Sequence, residues 1–161
     1  MTAIVVGGIT LVIIPLLALT ANQLSCLQRV IQAFGVVSAY HLNDTPKEDN
    51  KTILPKIYSF EYKSSTLMIL LCLPQFIADN IAFRNTLRWA RDQEVLQLIA
   101  IDEAHLYAMH GVSFRDSIRQ LERDFFARLF QNQNKYAPLL LAMTAMLTTL
   151  LLALCNLTYV N

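Results

Sequence analysis

Residues Val95–Gly111 read VLQLIAIDEAHLYAMHG. An apolar run carries the chain from Val95 to Ile101, broken only by Gln97, and ends in two adjacent carboxylates, Asp102 and Glu103. A short aliphatic run of this kind fits a strand buried on both faces, and such strands belong to parallel sheets covered by helices. Ligands of open parallel sheets bind beyond the carboxyl ends of the strands. The acidic pair therefore stands where chemistry is expected. The competing reading is an acidic helix start, because carboxylates favour helix N-termini, and two carboxylates alone do not separate the two.

The same grammar extends in both directions. Gly7–Gly8 precede ITLVII (9–14), a β-branched burst of strand length stopped by Pro15. Leu16, Leu19, Gln23, Leu24, Leu27 and Ile31 then recur at three-to-four spacing, which predicts a helix with one buried face. GVVSAYHL (35–42) reads as a second strand, NDTPKEDNKT (43–52) as a polar surface loop, and 54–62 as a short helix. TLMILLCLP (66–74) is a third buried strand, and 75–93 an amphipathic helix with Arg84, Arg88 and Arg91 on one stripe. After the fourth strand, 113–130 forms another amphipathic helix, and APLLLAMTA (137–145) is a fifth strand. Strands alternating with helices predict an α/β domain with a mainly parallel sheet.

Composition narrows the function classes. The net charge is +1, so no global field points to nucleic acid or to acidic substrates. Cys26, Cys72 and Cys155 are odd in number, far apart and set in apolar runs, which reads as buried thiols in a reducing compartment. No Cys/His cluster supports zinc. The arginines on the 84/88/91 stripe and in the Arg115, Arg119, Arg123 series alternate with acidic or polar residues, which reads as solvated helix faces. Trp89 and Phe125–Phe126 read as core or interface anchors, and His41 as a strand-end residue. The ends are unusually apolar: no charge occurs from Met1 to Gln28 or after Lys135. The runs 3–21 and 138–155 each approach the ~20 residues that span a bilayer, so a two-span membrane protein is one alternative. The glycine pair, short strand, proline and helix in the first run favour the α/β unit.

The full run Asp102–His105 is DEAH. It resembles motif II of superfamily 2 helicases, and its surroundings resemble the RecQ-like branch. LVIIPLLALTANQ (11–23) is similar to motif Ia, and LMILLCLPQFI (67–77) to the strand ending in a Thr/Ser-Pro-Glu step. DEAHLYAMHGVSFRDSI (102–118) is similar to the stretch leading through an aromatic-rich loop to Gly111, Phe114 and Arg115, and LLLAMTAML (139–147) to motif III. The blocks follow the family's order over nearly the whole chain. The resemblance implies a RecA-like P-loop NTPase domain, a three-layer α/β/α sandwich with a mainly parallel sheet, acting on DNA with ATP and Mg²⁺ in a soluble nuclear or cytoplasmic setting of DNA repair and recombination. By position it implies that Asp102 and Glu103 serve Mg²⁺ and the attacking water. It implies that His105, with Thr144 and Ala145, links the nucleotide to strand separation. Pro15, Leu16 and Gln23 fall where motif Ia meets the DNA backbone, and His110, Phe114 and Arg115 where DNA contact is coupled to hydrolysis.

Departures accompany the match. Met109 and His110 stand where the family loop carries Gln and Trp, and Met146 where motif III has a second Thr. A phosphate cradle needs Gly-x-x-x-x-Gly-Lys-[Ser/Thr]. None of Gly7, Gly8, Gly35 and Gly111 precedes a lysine, and Lys63–Ser64 lacks the glycines. The resemblance places that motif upstream of Met1, with MTAIVV (1–6) as the tail of the helix behind it. Residues 1–161 are then a partial first RecA-like domain with motifs Ia, II and III, lacking the P-loop strand and the second RecA-like domain. The expected sheet has that strand beside the motif II and motif III strands. The remaining alternative is a degenerate helicase domain that binds nucleic acid or a partner without hydrolysing ATP.

Overall fold

A computed structural model describes residues 7–14, 37–42, 46–61, 66–104, 119–131 and 136–144. Five strands form one sheet: β1 (Gly8–Ile13), β2 (Val37–Leu42), β3 (Leu67–Cys72), β4 (Leu96–Ile101) and β5 (Leu139–Ala142). Their order is β2-β3-β1-β4-β5, and every pairing is parallel. The five apolar runs of the sequence are these five strands, and the fold is the RecA-like α/β arrangement expected.

β1 lies at the centre, with Gly8 opposite Leu67 through Ile13 opposite Cys72 on one side and β4 on the other. Alternation divides its side chains between two faces. Ile9, Leu11 and Ile13 join the large core, packed with residues from four helices, while Ile14, Leu67, Ile69 and Leu71 are buried on the opposite face. Burial on both faces explains why the strands read as unbroken apolar runs. The helix expected over Leu16–Ile31 lies outside the described residues. The described parts of the runs 3–21 and 138–155 are strands β1 and β5, which contradicts the membrane reading there. No helix among the described residues is long and apolar enough to cross a membrane.

The described helical segments are α1 (Pro46–Tyr58), α2 (Pro74–Asp79), α3 (Ile81–Asp92) and α4 (119–130), the last containing a π-helical turn at Glu122–Phe126. Two boundaries differ from expectation. α1 begins inside the stretch read as a loop: Pro46 suits a first turn because its φ is preset, and Ile53 and Ile57, one turn apart, are buried against the sheet. The helix expected over 75–93 is two helices. Asn80 breaks it by accepting the Phe83 N–H at 3.0 Å, capping α3. Its amide also exchanges hydrogen bonds with Asn50 at 3.0 and 2.8 Å, tying the break to α1.

The arginine stripe is the larger correction. Arg84 and Arg91 are 8% and 7% exposed, so this face of α3 is not solvated. Arg84 donates to the Ile77 and Ala78 carbonyls at the end of α2. Arg88 donates to the Asp124 carbonyl at 2.6 Å, within the π-helical turn, and Arg91 to the Arg128 and Leu129 carbonyls at the end of α4. Burial first, and then the neighbouring Arg128, Arg84 and Arg91, lower the Arg88 guanidinium from its ordinary value. Helical periodicity groups three residues on one face, but it does not reveal that the face meets main-chain oxygens. Arg123, by contrast, is exposed and pairs with Asp124 at 2.9 Å, as a solvated residue should.

The expected place for a further strand also changes. β4 is hydrogen-bonded to β1 on one side and β5 on the other. The sheet's open edges among the described residues are those of β2 and β5.

Candidate functional site

The carboxyl edge of the sheet is built from the ends of β1, β3, β4 and β5. Ile14 donates its N–H to the Cys72 carbonyl at 2.9 Å, and Asp102 donates its N–H to the Ile13 carbonyl at 2.9 Å. The end of β4 is thus held against the end of β1, the strand that leads into Pro15. On its other side, Met143 donates to the Ile101 carbonyl at 2.8 Å and accepts from the Ala104 N–H at 2.8 Å. The main chain of Asp102–Ala104 is therefore clasped between the continuations of β1 and β5.

Within this clasp, Asp102 and Glu103 are both partly buried. Asp102 Oδ1 accepts the Glu103 N–H at 2.9 Å, closing a local turn. Glu103 has φ +47°, in the left-handed region. For a residue with a Cβ this conformation costs about 1–2 kcal/mol, and it persists because the flanking main-chain bonds fix the turn. Strain of this kind concentrates at functional sites, and here it falls on a carboxylate at the end of an inner strand.

The donor chemistry is that of hard oxygens. Mg²⁺ is typically held by one or two carboxylates together with phosphate oxygens and waters, without an all-protein cage. Among the described residues, no group of three or more His, Cys, Asp or Glu side chains could hold a metal by itself. Two adjacent carboxylates are donors of the kind that Mg²⁺ takes when phosphate oxygens and waters complete its shell.

The structure brings Asp102, Glu103 and Thr144 to one edge, since Thr144 follows Met143 in the bridge to Ala104. His105, Ala145, Pro15, Leu16, Gln23, His110, Phe114 and Arg115 lie outside the described residues. Two contributors escape sequence reasoning: the Ile13 carbonyl and the Met143 main chain. Both act through backbone atoms, which leave no side-chain signature. Cys72, at the neighbouring end of β3, is buried. Burial raises its thiol far above the ordinary thiol range, so it is a packing residue and not a nucleophile.

Comparison with known proteins follows this geometry. A profile of the DEAD/DEAH box helicase family matches residues 3–151. The chain is 34% identical over 115 residues to ATP-dependent DNA helicase Q-like 2 of Arabidopsis thaliana, covering 71% of this chain and 15% of that protein. It is 30% identical over 138 residues to a putative ATP-dependent DNA helicase Q1 of Caenorhabditis briggsae, covering 86% of this chain and 20% of that protein. Against ATP-dependent DNA helicase hus2/rqh1 of Schizosaccharomyces pombe the identity is 29% over 114 residues, covering 71% of this chain and 8% of that protein. The chain thus spans a fifth or less of the length of these relatives. With DEAH at the end of an inner parallel strand and a family match over most of its length, this chain belongs to the DEAD/DEAH box helicases, and its similarity to the Q-type proteins makes it RecQ-like.

Proposed function

We propose that residues 1–161 act as part of the first RecA-like domain of an ATP-dependent DNA helicase, contributing the DEAH carboxylates and the coupling segments without the phosphate cradle. The observation that carries this reading is the clasp. Asp102 and Glu103 are presented at the carboxyl edge of the sheet, with the Asp102 main chain bonded to the end of the motif Ia strand and the flanking Ile101 and Ala104 bonded to the end of the motif III strand.

In this reading the Asp102 carboxylate would hold Mg²⁺, which would supply charge neutralisation at the nucleotide phosphates. Glu103 orients a water and accepts its proton. His105, with Thr144 and Ala145, links the nucleotide state to strand separation. Pro15, Leu16 and Gln23 meet the DNA backbone, and His110, Phe114 and Arg115 form the DNA-coupled segment, in a DNA-repair or recombination setting in the nucleus or cytoplasm.

A second reading is a helicase-like module that binds nucleic acid without hydrolysing ATP. Both readings expect this chain alone to show no DNA-stimulated ATP hydrolysis above that of Glu103→Gln. Turnover by the chain that disappears in Glu103→Gln would overturn them. The genomic sequence immediately upstream of the Met1 codon separates the two: an in-frame Gly-Lys-Ser or Gly-Lys-Thr supports the hydrolysing helicase, and its absence the binding module.

A further inference from the structure

The second half of α4 dictates where its first half should lie. Seven residues make two turns of α-helix to within about 20°. The residue two turns before the buried Leu129 is Glu122, so an uninterrupted helix would turn that carboxylate onto the core face beside Phe125 and Leu129. The structure has the opposite arrangement: Leu121 is buried and Glu122 is exposed. The π-helical turn at Glu122–Phe126 makes the difference, since within it the Ala127 N–H reaches back five residues to the Glu122 carbonyl. One additional residue in a turn carries the preceding chain round by about 100°. Leu121, Phe125 and Leu129 then share one face, and the Glu122 charge escapes the cost of burial without a partner.

A wide turn interrupts the regular ladder of helical hydrogen bonds and is rare. Here it receives a side chain from the next helix. Arg88 on α3 is steadied by Asn85 Oδ1 at 2.9 Å and donates into the turn, to the Asp124 carbonyl at 2.6 Å. Upstream of the turn, the rotated first turn of α4 sets Gln120 Nε2 3.4 Å from the Ala78 carbonyl, which Arg84 also engages. That carbonyl ends α2, the helix that leaves the carboxyl edge of the sheet directly after β3.

We infer that Arg88 is a positioning residue that holds α4 one residue out of α-helical register, so that its first turn docks against the end of α2 with Leu121 inward. What Arg88 serves is the extra residue, not the packing of α3 on α4 in general. Deleting Arg123, whose side chain is exposed, makes Glu122 and Ala127 ordinary helical partners four apart. It also leaves Leu121 seven residues before Leu129, in phase with the core, and leaves Arg88 no wide turn to hold.

The test is hydrogen exchange of the Ala127 amide in the full chain, with Arg88→Met introduced into wild type and into the Arg123 deletion. Circular dichroism confirms that each variant is folded. The expected result is exchange at least ~10-fold faster on Arg88→Met in wild type, and less than ~2-fold faster in the deletion, because a closed turn no longer depends on the guanidinium. Should the deletion unfold, Leu121→Glu combined with Glu122→Leu decides. That exchange puts the apolar side chain in phase with Leu129 for a regular helix, so the variant should fold and again respond less than ~2-fold to Arg88→Met. No response in wild type, an equal response in wild type and the folded comparison variant, or the unfolding of both comparison variants overturns the proposal.

Discussion

Replacing Arg91 by methionine should destabilise the domain far more than replacing any exposed arginine. The side chain is 8% exposed, with its guanidinium donating to the Arg128 carbonyl at 3.1 Å and to the Leu129 carbonyl at the end of α4. Methionine keeps the apolar stem and removes the donors. Hydrogen bonds to charged groups contribute about 1.5–3 kcal/mol each. The Asp92 pairing adds little, because that carboxylate is 37% exposed and surface pairs are weak. Two lost carbonyl contacts at the low end of the range give about 3 kcal/mol. In a domain of this size that corresponds to a fall in Tm of roughly 6–12 °C. Arg91→Lys, which keeps one charged donor but not the fork, should lose about half as much. Arg123→Met, at a side chain 77% exposed, should stay within about 0.5 kcal/mol. Urea unfolding of the full chain, followed by circular dichroism with unchanged m-values, reads all three. A loss below about 0.5 kcal/mol for Arg91→Met would refute the clamp and return this residue to the solvated stripe.

Glu103→Gly should relieve the left-handed strain and raise stability by about 1 kcal/mol in the same assay, even though it deletes the carboxylate assigned to water activation; a net loss would show that the turn is unstrained. Thr10 is completely buried in β1, and its hydroxyl oxygen has no hydrogen-bond partner among the described residues. Thr10→Val should therefore stabilise by about 1 kcal/mol, whereas destabilisation by a similar amount would reveal a partner for that hydroxyl. Burial holds the Cys72 thiol protonated in the fold, while the unfolded chain ionises it near pH 8.5. Its contribution is thus fully present below that pH and falls as pH rises, by at most about 1.4 kcal/mol per unit. The stability of wild type relative to Cys72→Ala should shrink between about pH 7 and 10, and a constant difference would contradict the assignment.

The strands were legible because burial on both faces leaves no polar alternation to disguise them. The DEAH run was legible because its four side chains lie consecutively at a strand end. What the sequence concealed was tertiary. The amphipathic period runs through Asn80 without interruption, so the break at that residue emerges only when its amide meets Asn50 and the Phe83 N–H. The arginine stripe looked solvated because a pattern of polar residues does not say whether water or helix-end carbonyls lie opposite. Main-chain partners of the site, the Ile13 carbonyl and Met143, have no sequence signal, since any residue supplies them. The left-handed turn at Glu103 is concealed for a related reason: glutamate is not a residue that advertises that conformation.

The central claim is that Asp102 and Glu103 form the metal-and-phosphate end of a nucleotide site. Its most direct test is paramagnetic broadening of the chain's amide resonances by Mn²⁺ with ATP. The account predicts broadening concentrated at Ile14, Asp102, Glu103, Ala104 and Thr144, and its loss in Asp102→Asn. Broadening centred elsewhere on the fold, or unchanged in Asp102→Asn, would contradict it.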